Sequence, residues 1–203
     1  MTKTVEFYFD FGSPNAYLAY KRLPAILERT GAEVAWRPML LGGVFKATGN
    51  QSPVAIAAKR PNSRNDLIRF TNRHGVPFAM NPHFPVNTLQ LMRGAVAAEI
   101  DGALPLYVEA AFHHMWEEPK KMDDPEVIQA ALCASGLDGP RILERIQDPV
   151  VKERLRRNSE QSVARGTFGV PTFFVGGHIH FGKDRLRDVE EAILDSGNAV
   201  RRG

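Results

Sequence analysis

The chain has 203 residues and a single cysteine, Cys133. No intrachain disulfide can form, and Cys-x-x-Cys redox chemistry is excluded. Long apolar runs are missing too: nothing approaches the roughly 20 consecutive apolar residues of a membrane-spanning helix. There is no excess of one charge. The sequence has 26 Lys and Arg against 23 Asp and Glu, interspersed, for a net charge of +3. Such a balance gives little support to a nucleic-acid interface. It suits small anionic ligands without requiring them. The opening stretch is not expected to act as a secretory signal, because Glu6 and Asp10 interrupt its short apolar run. The expectation is a cytoplasmic protein with no membrane and no nucleic-acid partner. Internal repeats and low-complexity segments are absent as well.

What is present suffices for a packed core. Hydrophobic residues make up 43% and charged residues 24%, ordinary values for a globular domain. The length suits one domain or one domain with a large insertion. Residues 4–10, TVEFYFD, are dense in β-branched and aromatic side chains and predict a strand. A helix is expected from Asn15 to about Arg29, with Ser13 as N-cap, Pro14 at its first position and Gly31 at its end. Pro24 lies inside that run and predicts a kink or break. A second strand is expected at 33–39, and strand, helix, strand makes a parallel βαβ unit. Pro38 sets its end near an edge or a bend.

From about 41 to 165 the residues predict helices at 63–74, 88–100, 104–117, 125–135, 140–146 and 150–165, and no strand. Residues 75–87 hold three prolines and two asparagines and predict an irregular loop. The end returns to β: strands at 172–175 and 178–181 flank a Gly176-Gly177 turn, and an amphipathic helix follows at 183–194. Residues beyond Asp195 are expected to fray. A two-stranded hairpin is not stable alone, so the two β pieces must share a sheet. The expected fold class is α/β, a thioredoxin-like fold of βαβ…ββα order with a large inserted all-helical domain. Its parts would be residues 1–45 and 166–203 for the thioredoxin-like domain and 46–165 for the helical insertion.

Two motifs carry chemistry. In Asp10-Phe11-Gly12-Ser13-Pro14, Ser13 stands at a helix tip, where unpaired N–H groups favour an anion such as a thiolate. An ordinary N-cap is the competing role, and both can hold at once. In Gly169-Val170-Pro171-Thr172, a cis proline would open the Val170 backbone to a strand-like ligand; a trans proline opening an edge strand is the ordinary alternative. His113 and His114 are adjacent on a helix and should point to different faces, against joint metal ligation. His178 and His180 share a strand face, with no third ligand evident, and read as a surface pair. No metal is expected. Cys133 reads as a buried small hydrophobe. Trp36, Phe112 and Trp116 read as core. His83 and Phe84 could line an aromatic substrate pocket, or pack as ordinary loop residues.

FYFDFGSPNAY, LLGGVFKATGN, HFPVNT, FGVPTFFV and HFGKDRL together resemble the 2-hydroxychromene-2-carboxylate isomerases and their kappa-class glutathione transferase relatives. Those families have a DsbA-like thioredoxin fold with serine in place of Cys-x-x-Cys. The similarity runs through nearly the whole chain, though 50–66 aligns poorly. It implies glutathione as cofactor, a small aromatic-derived carboxylate as substrate and a homodimer. Residue by residue, it implies that Ser13 is catalytic and bonds the glutathione sulfur. Asn50 would contact the tripeptide, and Val170 would pair with its cysteinyl backbone beside a cis Pro171. Lys183 and Asp184 would lie near its γ-glutamyl end. Relatives often have an uncharged polar residue where Lys183 stands. Lys46, Arg60 and Arg64 are candidates for the substrate carboxylate. The implied reaction is thiolate addition to an enone, ring opening, rotation about the resulting single bond, and elimination. A kappa-like transferase is the alternative, and a non-catalytic thiol-binding thioredoxin-fold protein is the second alternative.

Overall fold

A six-residue strand with four buried side chains organises the molecule. The computed structural model describes residues 3–199. In it β1 (Thr4–Phe9) pairs in parallel with β2 (Glu33–Pro38) and antiparallel with β3 (Thr172–Val175). The strand β4 (His178–Phe181) pairs antiparallel outside β3, giving the order β2-β1-β3-β4. Between β1 and β2 runs α1 (Pro14–Thr30). Between β2 and β3 lie α2 (Leu41–Thr48), α3 (Arg60–His74), α4 (Leu89–Ile100), α5 (Leu104–Trp116), α6 (Pro125–Ala134), α7 (Gly139–Arg145) and α8 (Pro149–Ala164). After β4 comes a short 3-10 turn at Lys183–Arg185, then α9 (Leu186–Ala199). This is the thioredoxin-like arrangement, with helices inserted between its two β pieces.

Strand alternation sends Val5, Phe7 and Phe9 to one face, all fully buried. Phe7 lies opposite Phe173 with ring centroids 4.9 Å apart. The aromatic seam continues past the strand through Phe9 and Phe11 (5.4 Å) to Phe112 of α5 (4.8 Å from Phe11). The sheet and the inserted helices therefore share one core. The other face carries Glu6 and Tyr8. Arg165, at the end of α8, donates to both Glu6 carboxylate oxygens (2.8 and 2.9 Å) and to the Tyr8 hydroxyl (2.9 Å), with its guanidinium 3.8 Å from the Phe174 ring centre.

Several expectations need correction. The helix α2 was not expected, because Gly42 and Gly43 fall in its first turn and weaken local helix preference. Its first N–H groups are held from far away in sequence. Leu41 N–H donates to Asp10 Oδ2 (2.8 Å) and Leu40 N–H to Ser159 Oγ (2.9 Å). α3 begins at Arg60 rather than residue 63, with Pro61 in its first turn. α1 runs unbroken through Pro24; buried Leu23 and Ile26 anchor it on both sides of the missing hydrogen bond. Cys133 is exposed rather than buried, since α6 turns Ile128, Ala131 and Leu132 inward instead. His178 is exposed and His180 half-buried on the edge strand. α9 continues past Asp195 to Ala199, and the rest of the expected frayed tail lies outside the described residues.

The hydrogen bond from Arg165 holds the Glu6 carboxyl below the usual carboxylate range, against burial, with Arg37 assisting. A folded pKa below the unfolded one means stabilisation that is fully present above the unfolded pKa and is lost as pH falls through the lowered folded value. Glu6→Gln should therefore flatten the fall in Tm below about pH 5. Parallel Tm-versus-pH curves for variant and parent would refute this.

Candidate active site

The site starts where β1 stops. Asp10 is 1% exposed, and its Oδ1 accepts the Gly12 N–H at 2.8 Å, a side-chain-closed turn. Its backbone carbonyl accepts the Ser13 N–H at 3.1 Å. These bonds turn the chain so that Ser13, in extended conformation, caps α1, with Pro14 as first helical residue. Ser13 Oγ accepts the Ala16 N–H at 3.2 Å. Its proton points to the Val170 carbonyl across a long 3.5 Å. The cap is thus real, and it uses the oxygen's lone pair. The hydroxyl proton is held weakly and can be given to a better acceptor.

Facing Ser13 is the loop before β3, in which Val170–Pro171 is cis. The loop is fastened on both sides. Asn50 Nδ2 donates to Phe168 O (2.8 Å), Thr172 Oγ1 to Gly169 O (2.8 Å), and Gly182 N–H to Pro171 O (2.9 Å). Among the described residues, the Val170 N–H has no partner. An extended ligand could pair there as a strand would.

Next to Gly182, Lys183 is buried, its side chain 2% exposed. Its ammonium donates to Asp66 of α3 and to both oxygens of Asp184 (3.0 and 3.1 Å), 5.1 Å from the Phe70 ring centre. A cation this deep needs paired charges to offset lost hydration. Two carboxylates surround one ammonium, so the cluster retains acceptor capacity, with exposed Asp184 outermost. Ser13, Asn50, Val170, Pro171, Lys183 and Asp184 are thereby brought together around one loop.

The other candidates are placed differently. Phe84 is half-buried against Trp116 (5.9 Å), whose Nε1 donates to Phe11 O (2.8 Å) beneath the Ser13 turn. His83 is exposed and bonds through its backbone N–H to Asn81 Oδ1 (2.9 Å). Arg60 is exposed and donates to Val54 O, and Arg64 is exposed on α3. Lys46 faces a groove between α2, α4 and α8 that none of Ser13, Val170 or Asp184 lines. Trp116 and Phe112 are core, and Trp36 is half-buried. His113 and His114 stand closer than opposite faces would allow, with ring centroids 4.8 Å apart and Glu118 nearby. His114, however, bonds Ala131 O and Ser135 Oγ through Nε2 (3.1 and 3.0 Å) and Lys120 Nζ through Nδ1 (3.0 Å). Both its ring nitrogens are occupied internally. Burial lowers its pKa, and Lys120 lowers it further.

Asp10 and Asp66 escaped the sequence analysis as functional residues. An Asp two residues before a Gly is the spacing at which its side chain can close a turn. Nothing local signals that the second Asp10 oxygen holds α2, or that Asp66 holds Lys183. Burial pushes the Asp10 carboxyl up, while the Leu41 and Gly12 N–H groups and Thr88 pull it back.

The β2-β1-β3-β4 sheet with helices inserted between its β pieces, a serine at the tip of the first helix and a single cysteine in the sequence define a thioredoxin-fold protein without a Cys-x-x-Cys pair. Comparisons with known proteins narrow the class. The family model of the DSBA-like thioredoxin domain matches residues 4–194. The 2-hydroxychromene-2-carboxylate isomerase of Sphingobium xenophagum is 32% identical over 96% of this chain and 100% of its own. Human glutathione S-transferase kappa 1 is 28% identical over 92% of this chain and 88% of its own. A solved 2-hydroxychromene-2-carboxylate isomerase superposes with a TM-score of 0.85 at 26% identity, covering 98% of this chain and 97% of that one. The chain belongs to the DSBA-like thioredoxin family and, within it, to the group of the 2-hydroxychromene-2-carboxylate isomerases.

Asp10→Ala leaves two partly buried N–H groups without acceptors. It should lower the urea unfolding free energy by about 1–3 kcal/mol. An unchanged midpoint would show that Asp10 anchors neither the turn nor α2.

Proposed function

We propose that this chain is a glutathione-dependent isomerase of 2-hydroxychromene-2-carboxylate-type compounds. The observation that carries the proposal is the Ser13 hydroxyl at the tip of α1, loosely bonded across 3.5 Å to the Val170 carbonyl. Similarity to the isomerases along nearly the whole chain supports it.

The residues present fit glutathione. The unpartnered Val170 N–H and weakly bonded carbonyl match the two backbone groups of a cysteinyl residue. Asp184, with Asp66 behind Lys183, suits an ammonium group. Asn50 lies beside the same loop. Bound there, glutathione would supply a thiolate nucleophile that adds to the substrate and is itself regenerated on elimination.

The protein's own part is positioning and electrostatics. Ser13 turns its proton from the Val170 carbonyl to the sulfur, while its oxygen keeps the Ala16 N–H. The open N–H groups and dipole at the start of α1 favour the anion, and no acidic side chain stands in the helix's first turn. A serine cannot form a disulfide with the bound thiol, so the thiol remains available as a nucleophile. Arg60 and Arg64 have exposed guanidinium groups for a substrate carboxylate. Among the described residues no helix is long and apolar enough to cross a membrane.

A hydrogen bond to a charged group contributes about 1.5–3 kcal/mol, or about one to two pKa units. Ser13→Ala should therefore raise the pKa of the bound thiol by about that much, followed by thiolate absorbance, and slow isomerisation roughly 10- to 100-fold. Equal thiolate titrations in the two proteins would sink the assignment. Similarity to the kappa transferase favours a second reading, in which the conjugate leaves as product. Full recovery of free glutathione after turnover identifies the isomerase, and stoichiometric loss identifies the transferase.

A further inference from the structure

A groove of about 1140 Å³ lies between α2, α4 and α8. Its floor is apolar: Leu40, Ala47, Leu89, Leu155 and Val163 line it. Its rim is charged, and the charges are unevenly paired. Arg156 is held between Glu153 (2.7 Å) and Glu160, which occupies the two carboxylates of the rim. Lys46, Arg93 and Lys152 also line the groove, and among the described residues none of them has a carboxylate partner. Lys46 projects from α2, Arg93 from α4 and Lys152 from α8, so three separate helices direct unpaired cations to one apolar trough.

We propose that this groove is a second binding site, separate from Ser13, for a small anion with an apolar body, such as an aromatic or medium-chain carboxylate. The floor provides the burial and the three cations the orientation. A second copy of the chain fits poorly. A self-complementary contact centred on this groove would set its unpaired cations against their own images about the two-fold axis. A neutral apolar ligand would leave the three cations unused. α2, which carries Lys46, begins at the Leu41 N–H that Asp10 holds.

The test is calorimetric titration of the glutathione-free protein with 1-naphthoate, decanoate and neutral 1-naphthol at neutral pH. At least one carboxylate should bind tenfold or more tightly than the neutral alcohol; naphthoate alone marks an aromatic ligand, decanoate alone an aliphatic one. Arg93→Gln combined with Lys152→Gln should weaken the carboxylate at least tenfold and leave naphthol as it was. Val163→Trp, confirmed as folded by circular dichroism, should block both. Ser13→Ala should bind carboxylate as the parent does, which keeps this site distinguishable from the thiol site. Equal affinity for naphthoate, decanoate and naphthol, retention of carboxylate binding in the double variant, or its loss in Ser13→Ala would overturn the proposal. So would a dimer in sedimentation that Val163→Trp converts to monomer.

Discussion

One buried carboxylate sets the geometry of the site. Asp10 accepts the Gly12 N–H with one oxygen and the Leu41 N–H with the other, and its backbone carbonyl takes the Ser13 N–H. Burying a charged group is costly unless hydrogen bonds compensate, and here they come from backbone that must be held in any case. The turn fixes the tip of α1. The second oxygen fixes the start of α2, whose far end leads to Asn50 and the Phe168 carbonyl. Two residues on, Val170 faces Ser13 again. The bonds close a ring: Asp10, α2, Asn50, the cis-proline loop, Ser13. A shift of any member moves the others.

Two further attachments keep that ring in register with the rest of the molecule. The Phe9–Phe11–Phe112 seam makes the sheet and the inserted helices one core, and Trp116 closes it by donating to Phe11 O. Lys183 draws α3 to the other end of the cis-proline loop through Asp66. An apolar seam sets distance without setting direction. A buried ion pair sets direction but is costly without good geometry. Together they hold a polar loop at fixed height above the helix tip.

The sheet was legible because β1 and β3 are short, apolar and β-branched or aromatic, and their neighbours carry clear turn residues. Most helix starts were legible for the same local reason, as at Pro125 and Pro149. α2 was not. Its glycines speak against a helix, and its cap is supplied from 31 positions away. Residues 13 and 170, far apart in sequence, meet because β1 and β3 pair, which a topology argument anticipates. The partnership of Asp66 with Lys183 spans 117 positions and left no local mark. Pro24 shows the reverse error: a strong local signal for a break was overridden by burial of Leu23 and Ile26. Local rules fail in this chain wherever the decisive partner lies in the other β piece or the inserted helices.

The strand order has a consequence for how the chain is made. β1 is interior to the sheet, yet its antiparallel neighbour β3 begins at Thr172. A ribosome finishes β1, α1 and β2 long before it reaches β3. For most of synthesis one edge of TVEFYF stands open, an apolar ribbon that could pair with a neighbouring nascent chain. Glu6 sits in the middle of that ribbon, and its later partner Arg165 emerges just before β3. Before it anchors α8, the same carboxylate, paired with Arg37 of β2, sets an ion pair beside the open edge.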